Sequence, residues 1–305
     1  MQFDAQACPE VARFSPDGQM LVVGLINGFI EIYDPKTGRL NTELAYQERD
    51  EFMVHKGAVL CLAFCRQGDY MLSGDQFGDI KLWRLSTGQC IRMFESAHSD
   101  GVTSLSFSKN NDQVLSTSFD QTVRIHGVKS AKALKVFRGH TSYVNGALWT
   151  SDGQVVSASS DGYIRVWNAQ TEDCLRCFQA NPTCPEFKRP IHTLALLGYQ
   201  DHFLVSDRSS QIQVMNKQGE ILKTYRLSAD DNEPPEFTAV TVSPKGNWIY
   251  AVASDQFLYC LNVLSGEVEH SLKLHDKEVI GLHHHPLKNV LLSFSAGGEL
   301  KLWKS

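Results

Sequence analysis

Residues 139–167 read GHTSYVNGALWTSDGQVVSASSDGYIRVW, a stretch in which β-rich segments alternate with turn residues. The segment at 154–159 is followed by Asp161-Gly162, and Gly readily adopts the left-handed conformation that a tight turn needs. The next segment occupies 163–167, and no sustained apolar period of 3.6 residues marks a helix. We therefore predict antiparallel strands joined by short turns in this stretch.

The same pattern recurs along the chain. Closely matching copies occupy 11–33, 59–83, 102–126 and 279–303, and weaker copies occupy 191–215 and 237–260. In 102–107 the side chains Val102, Ser104 and Ser106 alternate with their neighbours, as in a strand. Corresponding residues at the ends of successive copies are 41 to 50 residues apart, 45 on average. This period is typical of WD-repeat β-propellers, in which each copy forms a four-stranded blade.

The fold predicted from these copies is all-β, a seven-bladed WD-repeat β-propeller with almost no helix. The last copy ends after its third strand, and residues 1–7 precede the first copy. We expect Gln2 to Ala5 to supply the missing outer strand and so close the ring, since closure removes exposed sheet edges. The whole chain, 1–305, is expected to form one domain, with blades near 8–46, 55–96, 98–139, 140–180, 188–228, 234–273 and 275–305 plus 1–7.

The composition limits the function. Hydrophobic residues make up 42% of the 305 residues, enough for a core, and the formal net charge is −5. This balance argues against nucleic-acid binding by bulk positive charge. The chain contains no apolar run of about 18 residues that could span a membrane, and it does not begin like a signal peptide. The eight cysteines are expected to be reduced thiols.

Four polar or aromatic positions in the fourth copy resemble the internal signature of WD propellers: His140, Ser157, Asp161 and Trp167. The resemblance implies a structural hydrogen-bonded relay, and the third copy keeps His98, Ser116 and Asp120 but has His126 at the Trp position. A hydrolase triad is the alternative, but no Gly-x-Ser-x-Gly motif accompanies these residues. In the other copies the Asp position is expected to be lost, being occupied by Asn27, Phe77, Ser209, Ser254 and Gly297.

The third copy, SFDQTVRIHG at 118–127 followed by FRGH at 137–140, resembles the Smu family of splicing factors. Further segments that fit the same family are AVLC at 58–61, VTSLSFSK at 102–109, GNWIY at 246–250, FLYC at 257–260, HDKEVIG at 275–281 and His284-His285-Pro286. The resemblance implies a nuclear, non-catalytic scaffold that acts around spliceosome activation, with spliceosomal proteins and the RED protein as partners. The family's N-terminal helical dimerisation region, to which RED binding is ascribed, has no counterpart in this sequence, so the propeller itself is expected to be monomeric.

A substrate receptor of a cullin-type ubiquitin ligase is the alternative function. Many such receptors carry Trp-Asp-x-Arg at a blade end, whereas the matching segments here are Trp83-Arg84, Trp167-Asn168 and Trp303-Lys304. An enzyme is not expected, since the sequence contains no phosphate-binding Gly-rich loop and no kinase or zincin motif.

Two groups of residues have the ligand types of a metal site. Cys174, Cys177, Cys184 and His192 could bind zinc, but side chains three apart on a strand point to opposite faces. The run His283-His284-His285 falls on an inner strand, where neighbours again alternate. We predict no metal and no other cofactor. Basic residues recur two positions before the last residue of four copies, at Lys81, Arg124, Arg165 and Lys301. They could contact RNA, but direct RNA contact is not expected.

The resemblance to WD propellers implies that partners bind at the mouth of the central channel, where chain segments enter the inner strands. Phe119 and Tyr143 are the best candidate anchors, because aromatic residues dominate binding hot spots. The alternative is that each residue here is merely a tolerated exposed side chain. By alignment, the residues expected at this mouth are Glu10, Ile26, Leu60, Gln76, Thr103, Phe119, Tyr143, Asn145, Ser160, His192, Arg208, Thr238, Glu278 and Ile280. The long connections 41–57, 179–190 and 228–236 are further candidate docking segments.

Overall fold

Each copy of the repeat folds as an antiparallel meander in the computed structural model, which describes residues 1–181, 188–198, 201–227 and 234–304. The fourth copy illustrates why. Ser157 on the second strand pairs with Ala147 on the first and with Arg165 on the third. Gly153 and Gly162 occupy the two intervening turns with φ of +78° and +79°, a conformation that side chains other than Gly rarely adopt.

The seven sheets follow one another along the chain. The first blade contains β1 (Pro9–Phe14), β2 (Leu21–Leu25), β3 (Phe29–Asp34), β4 (Arg39–Leu40) and β5 (Met53–Val54). The second contains β6 (Val59–Phe64), β7 (Tyr70–Asp75), β8 (Ile80–Arg84) and β9 (Gln89–Phe94). The third contains β10 (Val102–Phe107), β11 (Gln113–Ser118), β12 (Val123–Gly127) and β13 (Ala133–Phe137). The fourth contains β14 (Val144–Trp149), β15 (Val155–Ser159), β16 (Tyr163–Trp167) and β17 (Cys174–Gln179).

The remaining blades repeat this order, with the first strand of each blade innermost. The fifth contains β18 (Ile191–Leu197), β19 (His202–Asp207), β20 (Gln211–Met215) and β21 (Ile221–Arg226). The sixth contains β22 (Phe237–Val242), β23 (Trp248–Ala253), β24 (Phe257–Asn262) and β25 (Val268–Lys273). The seventh contains β26 (Val279–His284), β27 (Val290–Ser295) and β28 (Leu300–Lys304). In the described part of the chain the helical segments are a 3₁₀ turn at Ala5–Ala7 and the four-residue helix α1 (Ala45–Glu48).

The outer strand of the first blade is divided into two short pieces. β4 and β5 both pair with β3, so this sheet continues to Val54, beyond the limit expected at residue 46. The side chain of Gln47, on α1, fills the gap between the pieces. Its Oε1 accepts the Ile32 N–H at 2.7 Å and its Nε2 donates to the Ile32 carbonyl at 2.9 Å. Gln47 thereby satisfies the Ile32 N–H in place of a continuous strand and shares the Ile32 carbonyl with the Asn41 N–H, which lies 2.8 Å away.

The ring closes between the two ends of the chain. Gln2 pairs with Glu299 in an antiparallel bridge, and the backbones of Met1 and Leu300 exchange hydrogen bonds of 2.7 and 2.9 Å. The prediction of an N-terminal closing strand is confirmed, but the strand is shorter than expected. Pairing ends at Phe3, whose N–H donates to the Gly298 carbonyl at 2.8 Å, and the chain then turns into the 3₁₀ segment at Ala5–Ala7.

The hydrophobic core is divided into clusters that lie between neighbouring blades. One cluster joins Ile30 and Ile32 of the first blade to Leu62 and Met71 of the second. Another joins Phe14 of the first blade to the seventh blade and includes Phe3 as a partly buried neighbour. Burial at every junction fixes the blades relative to one another, so loop residues at the channel mouth are held on a rigid frame. Within the described residues, no helix has the length and apolar character needed to cross a membrane.

Candidate functional site

A continuous hydrogen-bonded relay crosses the fourth blade. The Trp167 indole donates from Nε1 to Ser157 Oγ at 2.8 Å, and Ser157 Oγ lies 2.8 Å from Nε2 of His140. Nδ1 of His140 in turn lies 2.9 Å from Asp161 Oδ2. The imidazole donates from Nδ1 to the carboxylate, so Nε2 of the neutral ring accepts from the Ser157 hydroxyl, which in turn accepts from the indole. Each polar atom in this buried chain is therefore satisfied.

The carboxylate end of the relay also holds the backbone. Asp161 accepts the N–H of Thr141 at 3.0 Å and that of Tyr163 at 3.0 Å. Burial by itself raises the pKa of the Asp161 carboxyl, but the hydrogen bonds from His140 and the backbone outweigh it and lower the pKa to about 2. Asp161 is thus ionised in the folded protein, and it connects the segment entering β14 to the turn before β16.

The third blade contains the same relay with a histidine in place of the tryptophan. His98 lies 2.9 Å from Asp120 and 2.8 Å from Ser116, and Ser116 lies 2.9 Å from Nε2 of His126. Arg124 adds an ion pair to Asp120 at 3.1 Å and a hydrogen bond to the Ala97 carbonyl at 2.8 Å. Burial, followed by the charges of His98 and Arg124, lowers the pKa of His126 to about 3, so its ring is neutral.

The second blade also has a relay, contrary to the expectation that Phe77 ends it. His55 lies 3.1 Å from Asp75 and 2.6 Å from Ser73, and Trp83 donates to Ser73 at 2.7 Å. The carboxylate comes from a position two residues before Phe77, on the last residue of β7.

The seventh blade also has a relay, although Gly297 occupies the aligned Asp position. Its carboxylate comes from Glu299, two residues after Gly297. His275 lies 3.0 Å from Glu299 and 2.7 Å from Ser293, and Trp303 donates to Ser293 at 2.8 Å. The longer side chain of Glu spans the displacement.

The geometry of the relays gives them a structural function. The serine and histidine of a hydrolase triad must reach the substrate, but Ser157 is 0% exposed and His140 is 6% exposed. Their polar atoms are occupied by one another, by the Asp161 carboxylate and by the Trp167 indole. Fully satisfied buried networks of this kind fix a unique arrangement of their strands.

The candidate metal ligands do not converge. Among residues 1–181, 188–198, 201–227 and 234–304, no group of three or more His, Cys, Asp or Glu side chains could hold a metal ion. His284 Nδ1 lies 2.7 Å from the His285 carbonyl, and His285 Nε2 donates to the Gly18 carbonyl of the first blade at 3.1 Å. Cys174 and Cys177 are exposed free thiols, whereas Cys184 lies outside the described residues. The histidine run therefore connects the seventh blade to the first.

The turns at the channel mouth are built alike in neighbouring blades. The N–H groups of Gln76, Phe119 and Ser160 donate to carbonyls just before the inner strands, at Ala58, Gly101 and Tyr143 respectively, over 2.8 to 3.0 Å. These bonds fix the turn after the second strand against the segment that enters the first. Side chains at these positions are consequently presented at one rim of the ring.

Phe119 and Tyr143 form an aromatic pair at this rim. Their ring centroids are 5.0 Å apart at an interplanar angle of 65°, an edge-to-face contact between the third and fourth blades. Tyr143 nevertheless remains 51% exposed. A Cβ built on Gly101 would lie 2.9 Å from Phe119 and 3.0 Å from Leu60, so both side chains pack over this glycine.

A further exposed aromatic side chain, Phe77 of the second blade, lies in the turn beside Gln76 and was not among the residues expected at the mouth. Phe77 is 57% exposed and packs with Gln76 against Gly57. Its position beside Gln76 in the same turn is the signal that could have revealed it. We call Leu60, Phe77, Phe119 and Tyr143 the mouth patch.

Several other residues expected at the mouth make structural hydrogen bonds. Thr103 donates to the Val144 carbonyl of the next blade, and Asn145 donates to the Ile191 carbonyl of the blade after that at 2.6 Å. Asn145 also donates to Ser160 at 2.8 Å. Thr238 donates to the Val252 carbonyl at 3.2 Å. These side chains connect strands and blades, so much of their hydrogen-bonding capacity is already used.

The remaining predicted mouth residues differ in exposure. His192 is largely enclosed, lies 3.2 Å from Ser206 Oγ, and has its pKa lowered to about 4 by burial. Glu10 is half-buried, and burial raises its pKa. The side chains of the following residues are exposed: Ile26, Arg208, Glu278 and Ile280.

The recurrent basic side chains are engaged by backbone carbonyls that precede their own blades or by rings of the same blade. Lys81 donates to the Val54 carbonyl at 2.8 Å, and Lys301 donates to the Leu274 carbonyl at 3.3 Å. Arg165 lies over the Trp167 ring, with its guanidinium carbon 5.9 Å from the ring centroid. These contacts accord with a structural role for the basic positions.

Comparisons with known proteins agree with this architecture. The family model described as Vps8 beta-propeller matches residues 14–159. WD40 repeat-containing protein smu1 of Dictyostelium discoideum is 41% identical over 306 aligned residues, covering 100% of this chain and 57% of that protein. Guanine nucleotide-binding protein subunit beta of Oryza sativa subsp. japonica is 30% identical, covering 67% of this chain and 56% of that protein. This chain therefore spans just over half the length of these two relatives.

A solved structure has the same fold. The beta-propeller domain of Myceliophteria thermophila Cps50 (Swd1) superimposes with a TM-score of 0.83 and covers 100% of this chain and 99% of that one. The sequence identity between the two is 16%, so this similarity concerns the fold alone.

Proposed function

This chain is a WD-repeat propeller of the Smu family, and on that premise we propose that it is a non-catalytic scaffold for protein–protein interactions in pre-mRNA splicing. The proposal places its action around spliceosome activation, in the nucleus, with spliceosomal proteins including RED as partners. The similarity to smu1 over the full chain supports this assignment, as does the resemblance of the third blade to the Smu family.

The observation that carries the scaffold function is the mouth patch. Two of its aromatic side chains, Phe77 and Tyr143, are 57% and 51% exposed although each is packed on a rigid blade. Exposed aromatic groups that are already held in place lose little conformational entropy on binding, and such groups dominate interface energies. We propose that the mouth patch anchors a protein partner.

The same surface includes polar residues that would surround the anchors. Gln76, Arg208 and Glu278 are exposed, and a polar rim around an apolar centre is the usual anatomy of a protein interface. We propose that the neighbouring side chains complete this surface: Glu10, Leu60, Thr103, Asn145, Ser160, His192 and Ile280. The propeller is proposed to act as one monomeric domain without a cofactor and without direct contact to RNA or membrane.

The absence of catalysis is part of the proposal. In four relays of the described structure the histidines are buried and each is bonded to a carboxylate, of which Glu299 is the most exposed. What they provide is a fixed frame. Function then depends on which partners that frame holds together.

Affinity purification from nuclear extract tests the function. The intact chain should retain spliceosomal proteins, including RED, and Phe119→Ala and Tyr143→Ala should each reduce their recovery several-fold. Leu264→Ala is the matched control, because Leu264 is a large apolar side chain that is 91% exposed in the turn between β24 and β25. The Leu264→Ala variant should recover as much spliceosomal protein as the parent.

Two outcomes would contradict the proposal. Recovery of cullin adaptors in place of spliceosomal proteins would assign the chain to ubiquitin ligation. Equal recovery of spliceosomal proteins by the parent, Phe119→Ala and Tyr143→Ala would show that the mouth patch does not anchor these partners. Thermal unfolding of each variant should accompany the assay, so that a lost partner is distinguished from a lost fold.

A further inference from the structure

A cavity of about 370 Å³ opens where the inner strands β1, β6 and β10 end. The mouth patch lies where the inner strands begin, so this cavity is at the opposite end of the channel. Three cationic side chains from three successive blades line it: Arg13, Arg66 and Lys109. Among the described residues that line it, none is acidic. The cavity therefore concentrates positive charge in a protein whose formal net charge is −5.

These three cations have no counter-ion in the described part of the chain. None of them makes an ion pair or a side-chain hydrogen bond there, whereas Lys217 and Lys301 pair with carboxylates at 2.8 and 3.0 Å. The hydroxyl of Ser106, which also lines the cavity, is buried without a hydrogen-bond partner. Buried polar groups in folded proteins usually have a partner, so the wall around these cations retains unused hydrogen-bonding capacity.

The surroundings of Arg13 strengthen this interpretation. Solvent reaches its side chain, but the enclosing protein desolvates the guanidinium and lowers its pKa. Burial, followed by the charge of Arg13, lowers the pKa of His283 in the seventh blade to about 3. Nδ1 of His283 is buried without a hydrogen-bond partner. The partly desolvated Arg13 guanidinium therefore lies near the neutral His283 imidazole, and neither has a hydrogen-bond or ion-pair partner among the described residues at the atoms named.

We propose that Arg13, Arg66, Lys109 and Ser106, here called the channel-base site, bind a phosphorylated side chain of a partner protein. A phosphate monoester has a charge of about −1.5 to −2 and three strong acceptor oxygens, which suits several cations and a hydroxyl donor. Guanidinium groups pair with phosphate through two parallel hydrogen bonds. The carboxylate of an acidic side chain offers one charge, which matches three cations less well.

The walls of the cavity favour a peptide over a nucleic acid. Phe64 and Phe107 line it together with Leu105, and these side chains can contact apolar residues that flank a phosphorylated position. Nucleic-acid binding instead uses a basic track that follows successive phosphates. The charge here is confined to one cavity beneath three blades. The proposal goes beyond the scaffold function and assigns a second partner surface.

The test uses the intact chain and a degenerate library of heptapeptides with phosphoserine at the centre, immobilised on beads. We expect the phosphorylated library to retain at least about fivefold more protein than the same library with serine. Arg13→Gln, and separately the double variant Arg66→Gln with Lys109→Gln, should reduce retention to the level of the serine library. The double variant changes exposed side chains, so it tests the site even if Arg13→Gln impairs folding.

Lys245→Gln is the matched control, because Lys245 lies in the corresponding turn of the sixth blade. Lys245→Gln should be retained on the phosphorylated library as well as the parent. Phe119→Ala should also be retained equally, so that this test is independent of the test of the mouth patch. Equal retention on the two libraries would overturn the proposal. Loss of phosphorylated-peptide binding in the presence of an equal concentration of random ten-nucleotide RNA would also overturn it and assign the cavity to nucleic acid.

Discussion

In the third blade the hydroxyl of Ser116 lies 2.9 Å from Nε2 of His126. The same hydroxyl lies 2.8 Å from Nε2 of His98, so it is placed between two imidazole rings. Since His98 donates from Nδ1 to Asp120, its Nε2 must accept from the hydroxyl, and His126 must donate. His126 therefore performs the function of the tryptophan indole in the fourth blade, but only while the His98 imidazole stays neutral at Nε2.

This arrangement makes the third blade sensitive to acid. Burial lowers the pKa of both His98 and His126 below the value of about 6.5 expected in the unfolded chain. Below that pH the unfolded state binds more protons than the folded state, so stability decreases as pH falls. Between pH 7 and pH 5 we expect His126 to account for a loss of about 1–2 kcal/mol, measured by urea unfolding.

His126→Gln separates this contribution from that of other histidines. Gln keeps an N–H donor and does not titrate, so the variant should lose less stability than the parent over the same pH interval. His270 is exposed, and His270→Gln serves as the matched control for replacing a histidine by glutamine. Equal pH dependence for His126→Gln and the parent would show that His126 is not the titrating group.

The serine at the centre of each relay is the position whose loss leaves most groups unpaired. In the fourth blade, Ser157→Ala removes the partner of both the Trp167 indole and Nε2 of His140. Leaving buried donors or acceptors unsatisfied costs about 1–3 kcal/mol, and we expect a loss of about 2–3 kcal/mol in the free energy of unfolding. Ser86→Ala should be neutral, since Ser86 is exposed. A neutral Ser157→Ala would show that water or rearrangement replaces the hydroxyl.

The second blade offers a direct comparison between sequence position and physical role. Asp75 accepts the N–H groups of Phe77 and Asp79 at 3.0 Å each and lies 3.1 Å from His55, whereas Phe77 occupies the aligned Asp position. We expect Asp75→Ala to cost about 3 kcal/mol, because it breaks a buried charge-assisted network. Phe77→Ala should change stability by less than about 0.5 kcal/mol. A larger loss of thermal stability in Phe77→Ala than in Asp75→Ala would show that the Asp75 relay is not what stabilises this blade.

The difference between Asp75 and Phe77 shows how far sequence reasoning could reach. The repeat spacing predicted the blades, because strand and turn patterns are local properties of each copy. The relays of the third and fourth blades were predictable because Asp120 and Asp161 stand at corresponding positions. Asp75 ends the strand before the turn that contains Phe77 and Glu299 follows the corresponding turn of the seventh blade, and both carboxylates nevertheless reach the histidine of their own blade. An alignment by position does not reveal this equivalence.

Gln47 is a second feature that no local pattern reveals. Its amide oxygen takes the place of a backbone carbonyl for the Ile32 N–H, although 15 residues separate the two along the chain. An isolated glutamine on a four-residue helix has no periodic signature, and its function follows from the interruption of the outer strand. The mouth patch had a similar limit: Phe119 and Tyr143 could be placed at the rim from the alignment, but their edge-to-face packing depends on how two neighbouring blades meet.

The ring closure combines a short backbone pairing with one aromatic contact. Phe3 donates its N–H to Gly298 of the seventh blade, while its ring packs edge-to-face on Tyr33 of the first, with centroids 5.8 Å apart. Phe3→Ala should lower the free energy of unfolding by about 1–2 kcal/mol, since the ring is only partly buried. Because Leu300 donates its N–H to Met1, hydrogen exchange at Leu300 should accelerate in this variant, whereas exchange at Val156 in the fourth blade should match the parent. Unchanged exchange at Leu300 would mean that the backbone bridge holds the ring closed without the aromatic contact.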